Sequence, residues 1–331
     1  MKQISYLLSI ISITLLIACG GGDKAVEKVY PKATFEVTNA EETMPVWIHG
    51  NENSDFILLP VHGGPGSDVL DFRTYKGGDG FKDIETNHLV GYWQQRASGA
   101  SKGSDDKKHF TIAQYVEDLD KVIDQLKDRY PNKKIVLLGH SWGGMLTSSY
   151  LKDATHKDKI VAWIDAAGVT NGKTLMAQTR EDVQKEAEVR IAKKENTDYW
   201  EKVVTQIKSS KTNANVLAYQ VTKYIPEVLI KVDNHKDFVI NQRGILSNST
   251  LFNEILKTDN TQNVAAFTKP ILILWGKYDF AVSASQKKEI EAVVNAKQIT
   301  NVVFPASGHY MMFHEPTMFA KSINDFIKTL Q

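Results

Sequence analysis

Apolar residues are grouped along the chain in short unbroken runs that alternate with longer amphipathic stretches. The runs occupy residues 56–61, 88–93, 134–138, 160–164, 271–275 and 301–304. Runs of this length without polar alternation are typical of strands that are buried on both faces of a parallel sheet. The pattern therefore predicts an α/β fold with a mostly parallel sheet.

The stretch that follows Thr111 carries the clearest helical signal. Thr111 and Gln114 have the spacing of a capping box, and apolar residues then recur every three or four positions up to Tyr130. Residues 145–151, 284–294 and 317–330 fit further helices. Their alternation with the apolar runs is the pattern expected of crossover connections between parallel strands.

The alternation breaks between residues 170 and 267, where polar-rich helical stretches such as 181–194 and 200–207 replace it. This predicts an inserted helical cap at 170–267. The cap divides the core into a first part, residues 34–169, and a second part, residues 268–331. A chain of 331 residues is long enough for one large domain with such an insertion.

The first 18 residues have the pattern of a signal peptide. A positive start at Lys2 precedes an apolar run at 4–18, which is shorter than the roughly 20 residues of a membrane-spanning helix. The run ends in Leu-Ile-Ala-Cys at 16–19, which resembles a bacterial lipobox, and Cys19 is the only cysteine. We therefore predict that Cys19 is lipidated, that residues 19–33 form a tether, and that the protein is anchored to a membrane of the bacterial periplasm or outer membrane.

The run at 134–138 leads directly into Gly-His-Ser-Trp-Gly at 139–143. A Gly-x-Ser-x-Gly motif between a strand and a helix is typical of a nucleophile elbow, where the flanking glycines allow a sharp turn without a steric clash. The following helix directs its N-terminal N–H groups toward developing negative charge. We predict that Ser141 is the nucleophile.

The run at 56–61 leads into His-Gly-Gly-Pro-Gly at 62–66. Glycines here allow backbone N–H groups to approach a tetrahedral intermediate. The predicted oxyanion-hole donors are the N–H groups of Gly64, or alternatively Gly63, and of Trp142, the residue after the nucleophile. We interpret His62 as a structural residue that orients this loop.

The base should follow Ser141 in the chain, which leaves His156, His235, His309 and His314. His309 directly follows the last apolar run and precedes the last helix, and it is our predicted base. His314 fits packing against that helix.

The acid should follow an earlier strand. Asp279 lies just past the run at 271–275 and is the predicted acid, with the role of holding the imidazole in one tautomer. Asp165, after the run at 160–164, is the alternative.

Taken together, the motifs at 62–66, 139–144, 276–279 and 307–309 resemble the α/β-hydrolase family, and within it most closely the proline iminopeptidase-like serine peptidases. The resemblance covers about residues 46–330. It implies the α/β-hydrolase fold, a mostly parallel sheet flanked by helices with an inserted helical cap. It also implies hydrolysis through an acyl-enzyme, without a cofactor.

The chain departs from those peptidases at several positions. They carry Asp-Gln-Arg-Gly-x-Gly after the next strand, whereas residues 94–99 read Gln-Gln-Arg-Ala-Ser-Gly. Their elbow often begins Gly-Gly, whereas this one begins Gly-His. Their cap carboxylates bind the free amino group of the substrate. Glu201 and Glu227 are the candidates here, but we favour the interpretation that both lie on a solvated helix face.

Other classes of function find no support in the sequence. The 40 basic and 39 acidic residues give a net charge of +1, which does not indicate a nucleic-acid partner. Neither Cys-x-x-Cys nor His-Glu-x-x-His occurs, so we predict no metal site. Three hypotheses remain: a peptidase that acts on the N-terminus of short peptides, a carboxylesterase or lactonase for small esters, and a non-catalytic envelope binding protein.

Overall fold

The computed structural model describes residues 28–75, 79–228 and 240–331. The chain is divided into two units, residues 1–32 and residues 33–331. Residues 28–32, the described part of the first unit, form no regular secondary structure. The predicted signal peptide and Cys19 lie outside the described residues. Within those residues, no helix combines the length and the apolar character that a membrane crossing requires.

The second unit is built around one sheet. Its strands are β1 (Phe35–Asn39), β2 (Glu42–Gly50), β3 (Phe56–Val61), β4 (Leu89–Trp93), β5 (Lys102–Gly103), β6 (Lys134–His140), β7 (Ala162–Ala166), β8 (Ile271–Gly276) and β9 (Ile299–Phe304). Their spatial order is β1-β2-β4-β3-β6-β7-β8-β9, and β5 pairs with β2. The strands from β4 to β9 along this order pair in parallel, whereas β1, β2 and β5 form antiparallel pairs.

Helices connect the strands and cover the sheet. They are α1 (Asp71–Thr74), α2 (Asp79–Asn87), α3 (Ile112–Arg129), α4 (Trp142–Tyr150), α5 (Ala154–Asp158), α6 (Gly172–Ala192), α7 (Thr197–Lys208), α8 (Ala214–Thr222), α9 (Gln242–Ile255), α10 (Thr261–Ala265), α11 (Ala284–Val293), α12 (Met311–His314) and α13 (Pro316–Lys328). Every residue of β3, β4, β7 and β8 is buried, as the unbroken apolar runs predict. The mostly parallel sheet flanked by helices is thus confirmed.

The predicted start of α3 shows why the local sequence folds as it does. The side chain of Thr111 accepts a hydrogen bond from the backbone N–H of Gln114 at 3.2 Å and so caps the helix. The apolar stripe that includes Leu119, Ile123 and Leu126 is fully buried. The helix ends at Arg129, just before the Pro131 that cannot continue it.

Between β7 and β8, the described residues form helices and no strand within the sheet. These helices have an apolar cluster of their own, which contains Trp200, Val203 and Leu217. Tyr278 and Phe280, which lie on either side of Asp279, belong to the same cluster. The helical segment therefore packs directly against the loop that carries the predicted acid.

Candidate active site

The site lies at the carboxyl ends of two neighbouring strands, from which the chain continues toward opposite edges of the sheet. β3 and β6 are adjacent and parallel, with Val61 in register with Gly139. The chain continues from β3 to β4 on one side, and from β6 to β7 on the other. Ligands of open α/β sheets bind at such a switch point, beyond the carboxyl ends of the strands. The glycine-rich loop after β3 and the elbow after β6 therefore meet there.

Ser141 occupies the elbow in a strained backbone conformation, with φ 58° and ψ −121°. Its side chain makes no capping hydrogen bond to α4. A Cβ atom at Gly143 would lie 2.0 Å from the carbonyl oxygen of Val61, so only glycine fits this close crossing. The turn therefore presents the hydroxyl of Ser141 at the end of β6 rather than using it in the helix.

The predicted base and acid lie together in the interior. Nδ1 of His309 and Oδ2 of Asp279 are 2.8 Å apart, and both side chains are almost fully buried. The other carboxylate oxygen of Asp279 accepts hydrogen bonds from the backbone N–H groups of Ala281 and Val282, each at 2.9 Å. Because the carboxylate accepts the proton on Nδ1, the lone pair of the imidazole lies on Nε2. That Nε2 atom is buried and has no hydrogen-bond partner among the residues that the structure describes.

The other residues considered as acid or base do not form this pair. Asp165 is fully buried in β7 and makes no hydrogen bond to His309. Burial raises the pKa of Asp165 to about 7, an effect that the Gly168 amide only partly offsets. His314 accepts a hydrogen bond from the N–H of Gly308, and His156 stacks on Tyr150. His235 lies outside the described residues.

The loop after β3 lies against the elbow. A Cβ atom at Gly63 would be 3.0 Å from the Cβ of Ser141, and Gly64 has a φ of 110° that side chains rarely adopt. Nδ1 of His62 contacts the carbonyl oxygen of Gly63 at 2.9 Å, and Nε2 accepts from the backbone N–H of Gln95 at 3.4 Å. Burial lowers the pKa of His62 to about 4. His62 therefore stays neutral and orients the loop.

Gln95 ties the two predicted halves of the oxyanion hole together. Its Nε2 donates to the carbonyl oxygen of His62 at 2.8 Å, and its Oε1 accepts from Nε1 of Trp142 at 2.9 Å. The sequence motif at 94–99 contains this glutamine, but its role as a bridge depends on the packing of two distant loops. Sequence reasoning did not find it.

A second buried histidine, His140, contacts the predicted base. Nε2 of His140 donates to the backbone carbonyl of His309 at 3.0 Å, and the two rings lie 4.7 Å apart. Burial, together with the nearby His309, lowers the pKa of His140 well below its usual value. His140 is therefore a neutral donor that fixes the position of His309.

Residues 85–317, which are well over half of the chain, match the family model described as serine aminopeptidase, S33. The chain belongs to the S33 serine aminopeptidase family. It is 23% identical over 297 residues to the probable aminopeptidase YbaC of Bacillus subtilis, covering 84% of this chain and 90% of that protein. It is 24% identical over 289 residues to the proline iminopeptidase of Saccharolobus solfataricus, covering 82% of this chain and 84% of that protein.

Solved structures share the fold of this S33 protein. The proline iminopeptidase of Mycobacterium smegmatis aligns with a TM-score of 0.60 and 17% identity, covering 89% of this chain and 98% of that one. An esterase from Exiguobacterium antarcticum aligns with a TM-score of 0.58 and 15% identity, covering 87% of this chain and 96% of the esterase. The α/β-hydrolase fold is thus confirmed, and the S33 protein is a hydrolytic enzyme.

The 94–99 motif of this S33 protein is stabilised despite its substitutions. Nε2 of Gln94 donates to the carbonyl of Ser67 at 3.0 Å. Arg96 and Asp118 form a fully buried ion pair at 2.8 Å. Ala97 has a φ of 55°, and its N–H donates to the buried carboxylate of Glu42 at 3.0 Å. Residues that replace the usual Asp and Gly therefore still hold the loop.

A cavity of about 200 Å³ opens at Ser141. Its wall includes two carboxylates, Asp68 and Asp71, together with polar and aromatic side chains: Asn215, Asn248, Phe72, Tyr219, Tyr310 and Phe313. Neither Glu201 nor Glu227 lines it. Glu201 is exposed, and Glu227 forms an ion pair with Arg190 at 2.9 Å. Sequence reasoning placed the candidate carboxylates in the cap and missed the pair that follows the glycine-rich loop.

The described residues contain no group of three or more His, Cys, Asp or Glu side chains placed to hold a metal ion.

Proposed function

We propose that this S33 protein is a serine aminopeptidase that releases N-terminal residues from short peptides through an acyl-enzyme. Ser141 attacks the scissile carbonyl, and Nε2 of His309 takes its proton and returns it to the leaving amine. Asp279 holds the imidazole in the required tautomer. The N–H groups of Gly64 and Trp142 bind the oxyanion, and one such donor lowers the barrier by about 2.7–4 kcal/mol.

The observation that carries this proposal is the buried pair of His309 and Asp279. The pair leaves a single lone pair on Nε2, an atom that has no partner within the described part of the chain. Ser141 lines the cavity and does not use its hydroxyl as a helix cap. Ser141 is not hydrogen-bonded to this Nε2 atom, and catalytic hydrogen bonds of this kind often tighten only once the substrate is bound.

The wall of the cavity supports the proposed substrate class. Asp68 and Asp71 supply negative charge, and the described lining residues include no Lys or Arg. Negative charge near the nucleophile favours a substrate with a free ammonium group. The volume of about 200 Å³ is smaller than the roughly 300–1,000 Å³ of pockets for drug-sized ligands, which favours a single residue on the acyl side.

A small carboxylic ester or lactone is the second candidate. Phe72, Tyr219, Tyr310 and Phe313 give the same cavity an aromatic wall that would accept an uncharged acyl group. A non-catalytic binding role is disfavoured by the buried pair of His309 and Asp279.

A parallel assay distinguishes these candidates. Wild type, Ser141→Ala and Asp71→Asn are compared on a prolyl nitroanilide, on its N-acetylated form and on nitrophenyl acetate. We expect Ser141→Ala to lose all turnover. We expect Asp71→Asn to raise KM for the free-amine substrate about tenfold, corresponding to about 1.4 kcal/mol, and to leave the ester unchanged.

The control for that assay is Asp83→Asn, which removes an exposed carboxylate that does not line the cavity. It should behave as wild type on every substrate. Turnover of the ester alone would refute the peptidase proposal, and equal activity of Ser141→Ala would refute the mechanism.

We also propose that Cys19 is lipidated and anchors the enzyme in the bacterial envelope. The lipobox-like pattern at 16–19 supports this proposal. Wild type expressed in a bacterial host should partition into the membrane fraction, and Cys19→Ala should abolish both lipid labelling and that partition. Equal membrane partition of the two proteins, with no lipid label on wild type, would contradict it.

A further inference from the structure

We propose that helix α9 of the cap positions the oxyanion-hole loop, and that Arg243 is the positioning residue that seats this helix on the core. The inference rests on the proposed function, because it concerns the donors that would bind the oxyanion. It adds a role for the cap beyond lining the cavity: the cap would set the geometry of the catalytic loop itself.

The first line of support is direct contact between α9 and the loop. A Cβ atom at Gly66 would lie 2.6 Å from the Cα of Gly244, so the two backbones touch. Nδ2 of Asn248 donates to the carbonyl oxygen of Pro65 at 3.2 Å. Gly64, the predicted donor, immediately precedes the segment that α9 holds. A displacement of α9 would therefore displace Gly64.

The second line of support is how Arg243 is bound. Its Nη1 and Nη2 atoms donate to the two carboxylate oxygens of Glu42 at 3.0 and 2.7 Å, and its Nε donates to Asp105 at 2.7 Å. The remaining N–H groups reach the carbonyl oxygens of Ser101 and Ser104 at 3.1 and 2.9 Å. All five donors of the guanidinium are thus engaged with the core, in the bidentate geometry that only arginine provides.

Glu42 links this contact to the other half of the hole. Its side chain is fully buried, and it also accepts the N–H of Ala97, a residue at φ 55°. Two residues upstream, Gln95 holds both the His62 carbonyl and the Trp142 ring. α9 therefore reaches both predicted donors, one through Pro65 and Gly66 and the other through Glu42 and the 94–99 loop.

Removing the guanidinium should affect the transition state more than substrate binding. The carboxylate of Glu42 would remain buried without its main cation, which favours rearrangement of the loops that it holds. Misplacement of a catalytic group by about 1 Å can lower a rate by about 100-fold. Because the donors act on the oxyanion, the loss should appear in kcat, while KM changes little.

The chain offers a matched control within the cap. Arg190 is also buried and forms ion pairs with Glu186, Glu195 and Glu227 at 2.6, 2.7 and 2.9 Å. None of these partners lines the cavity. Arg190→Gln therefore removes a comparable ionic cluster from the cap without touching the oxyanion-hole loop.

The experiment compares wild type, Arg243→Gln, Arg243→Lys, Asn248→Ala and Arg190→Gln. Steady-state kinetics on nitrophenyl acetate give kcat and KM. Amide hydrogen exchange, read by mass spectrometry, reports the protection of peptides that cover residues 62–68 and 139–145. Asn248→Ala cuts the direct contact without exposing a buried charge, so it tests the inference if the arginine variants fold poorly.

We expect kcat to fall by about 100-fold in Arg243→Gln, with KM little changed and faster exchange of both peptides. Arg243→Lys should recover only part of the activity, because an ammonium cannot reproduce the bidentate contact. Arg190→Gln should lower the thermal midpoint but leave kcat and the exchange of both peptides unchanged.

Unchanged exchange of residues 62–68 in both Arg243→Gln and Asn248→Ala would overturn the inference. An equal loss of kcat in Arg190→Gln would do so as well, because it would show a general effect of cap stability. Hydrogen exchange does not need turnover, so an inactive wild type would count against the proposed function alone and leave this inference decided by the exchange data.

Discussion

Replacing Asp165 with Asn should change how the stability of the enzyme depends on pH. Asp165 lies in β7, in register with Gly139 of the elbow strand and Ile273 of β8. It is fully buried, and the backbone amide of Gly168 only partly offsets the cost of burying its charge. Because burial disfavours the ionised form more than this amide stabilises it, the pKa of Asp165 is raised to about 7 from 3.8.

The sign follows from which state keeps the proton. Between about pH 4 and pH 7 the unfolded chain loses the Asp165 proton while the folded chain retains it, so the free energy of unfolding falls as pH rises through this window. The total decrease in the free energy of unfolding corresponds to about 4 kcal/mol, and about 2.5 kcal/mol of this decrease occurs between pH 5 and pH 8. Above this range both states are ionised and the loss is complete.

Asn cannot ionise, so Asp165→Asn should gain about 2.5 kcal/mol relative to wild type between pH 5 and pH 8. Urea unfolding followed by tryptophan fluorescence at several pH values measures this difference. Asp158→Asn, with a side chain that is 85% exposed, is the control and should show no such trend. A difference between Asp165→Asn and wild type that stays constant with pH would refute the reasoning.

Three further substitutions test the site. Asp279→Asn should lower kcat by about 10⁴-fold, as expected when the tautomer of the base is lost, and a fall of less than tenfold would shift the acid role elsewhere. Gly143→Ala should destabilise the fold by about 1–3 kcal/mol and abolish turnover, because its Cβ would lie 2.0 Å from the Val61 oxygen. Gly91→Ala, whose nearest Cβ contact would be 3.5 Å, is its control in thermal unfolding, and equal effects would contradict the steric argument. His314→Gln should retain turnover measured on nitrophenyl acetate, since Nδ1 of His314 accepts the backbone N–H of Gly308 and is not paired with Asp279, and complete inactivation would reopen the assignment of the base.

The sequence predicts the central strands well because a buried parallel strand carries its signal in its own residues. The run at 56–61 coincides with β3, and the run at 271–275 is one residue shorter than β8. The run at 160–164 is displaced by two residues from β7, since burial continues to Ala166 while Ile160 precedes the strand. Element ends depend on the neighbouring strand and are therefore less certain than the element itself.

The first hairpin has no comparable signal. β1 and β2 are joined by Ala40 and Glu41, which both have positive φ, at 40° and 62°. Two-residue turns of this kind usually carry Asn-Gly or Asp-Gly, and that signature is missing here. The turn forms because the sheet fixes its strands, so local sequence does not reveal it.

The candidate site likewise contains residues with a local sequence signal and residues without one. Ser141, Asp279 and His309 stand out because each follows a recognisable strand, and the structure brings Asp279 and His309 into contact. Glu42 and Arg243 are separated by 201 positions, and Asp71 belongs to a four-residue helix without a sequence motif. Contacts of this kind form only in the completed fold, so they cannot be recognised from local pattern and spacing.

The insertion between β7 and β8 has a consequence for synthesis. The elbow and the glycine-rich loop leave the ribosome early, but Trp163 can pair with Ile271 only after the whole helical segment has been made. Asp279 and His309 follow later still. If these residues act as we propose, a nascent chain carries Ser141 without its acid or its base, and it cannot hydrolyse a substrate through them until the segment with His309 has been made.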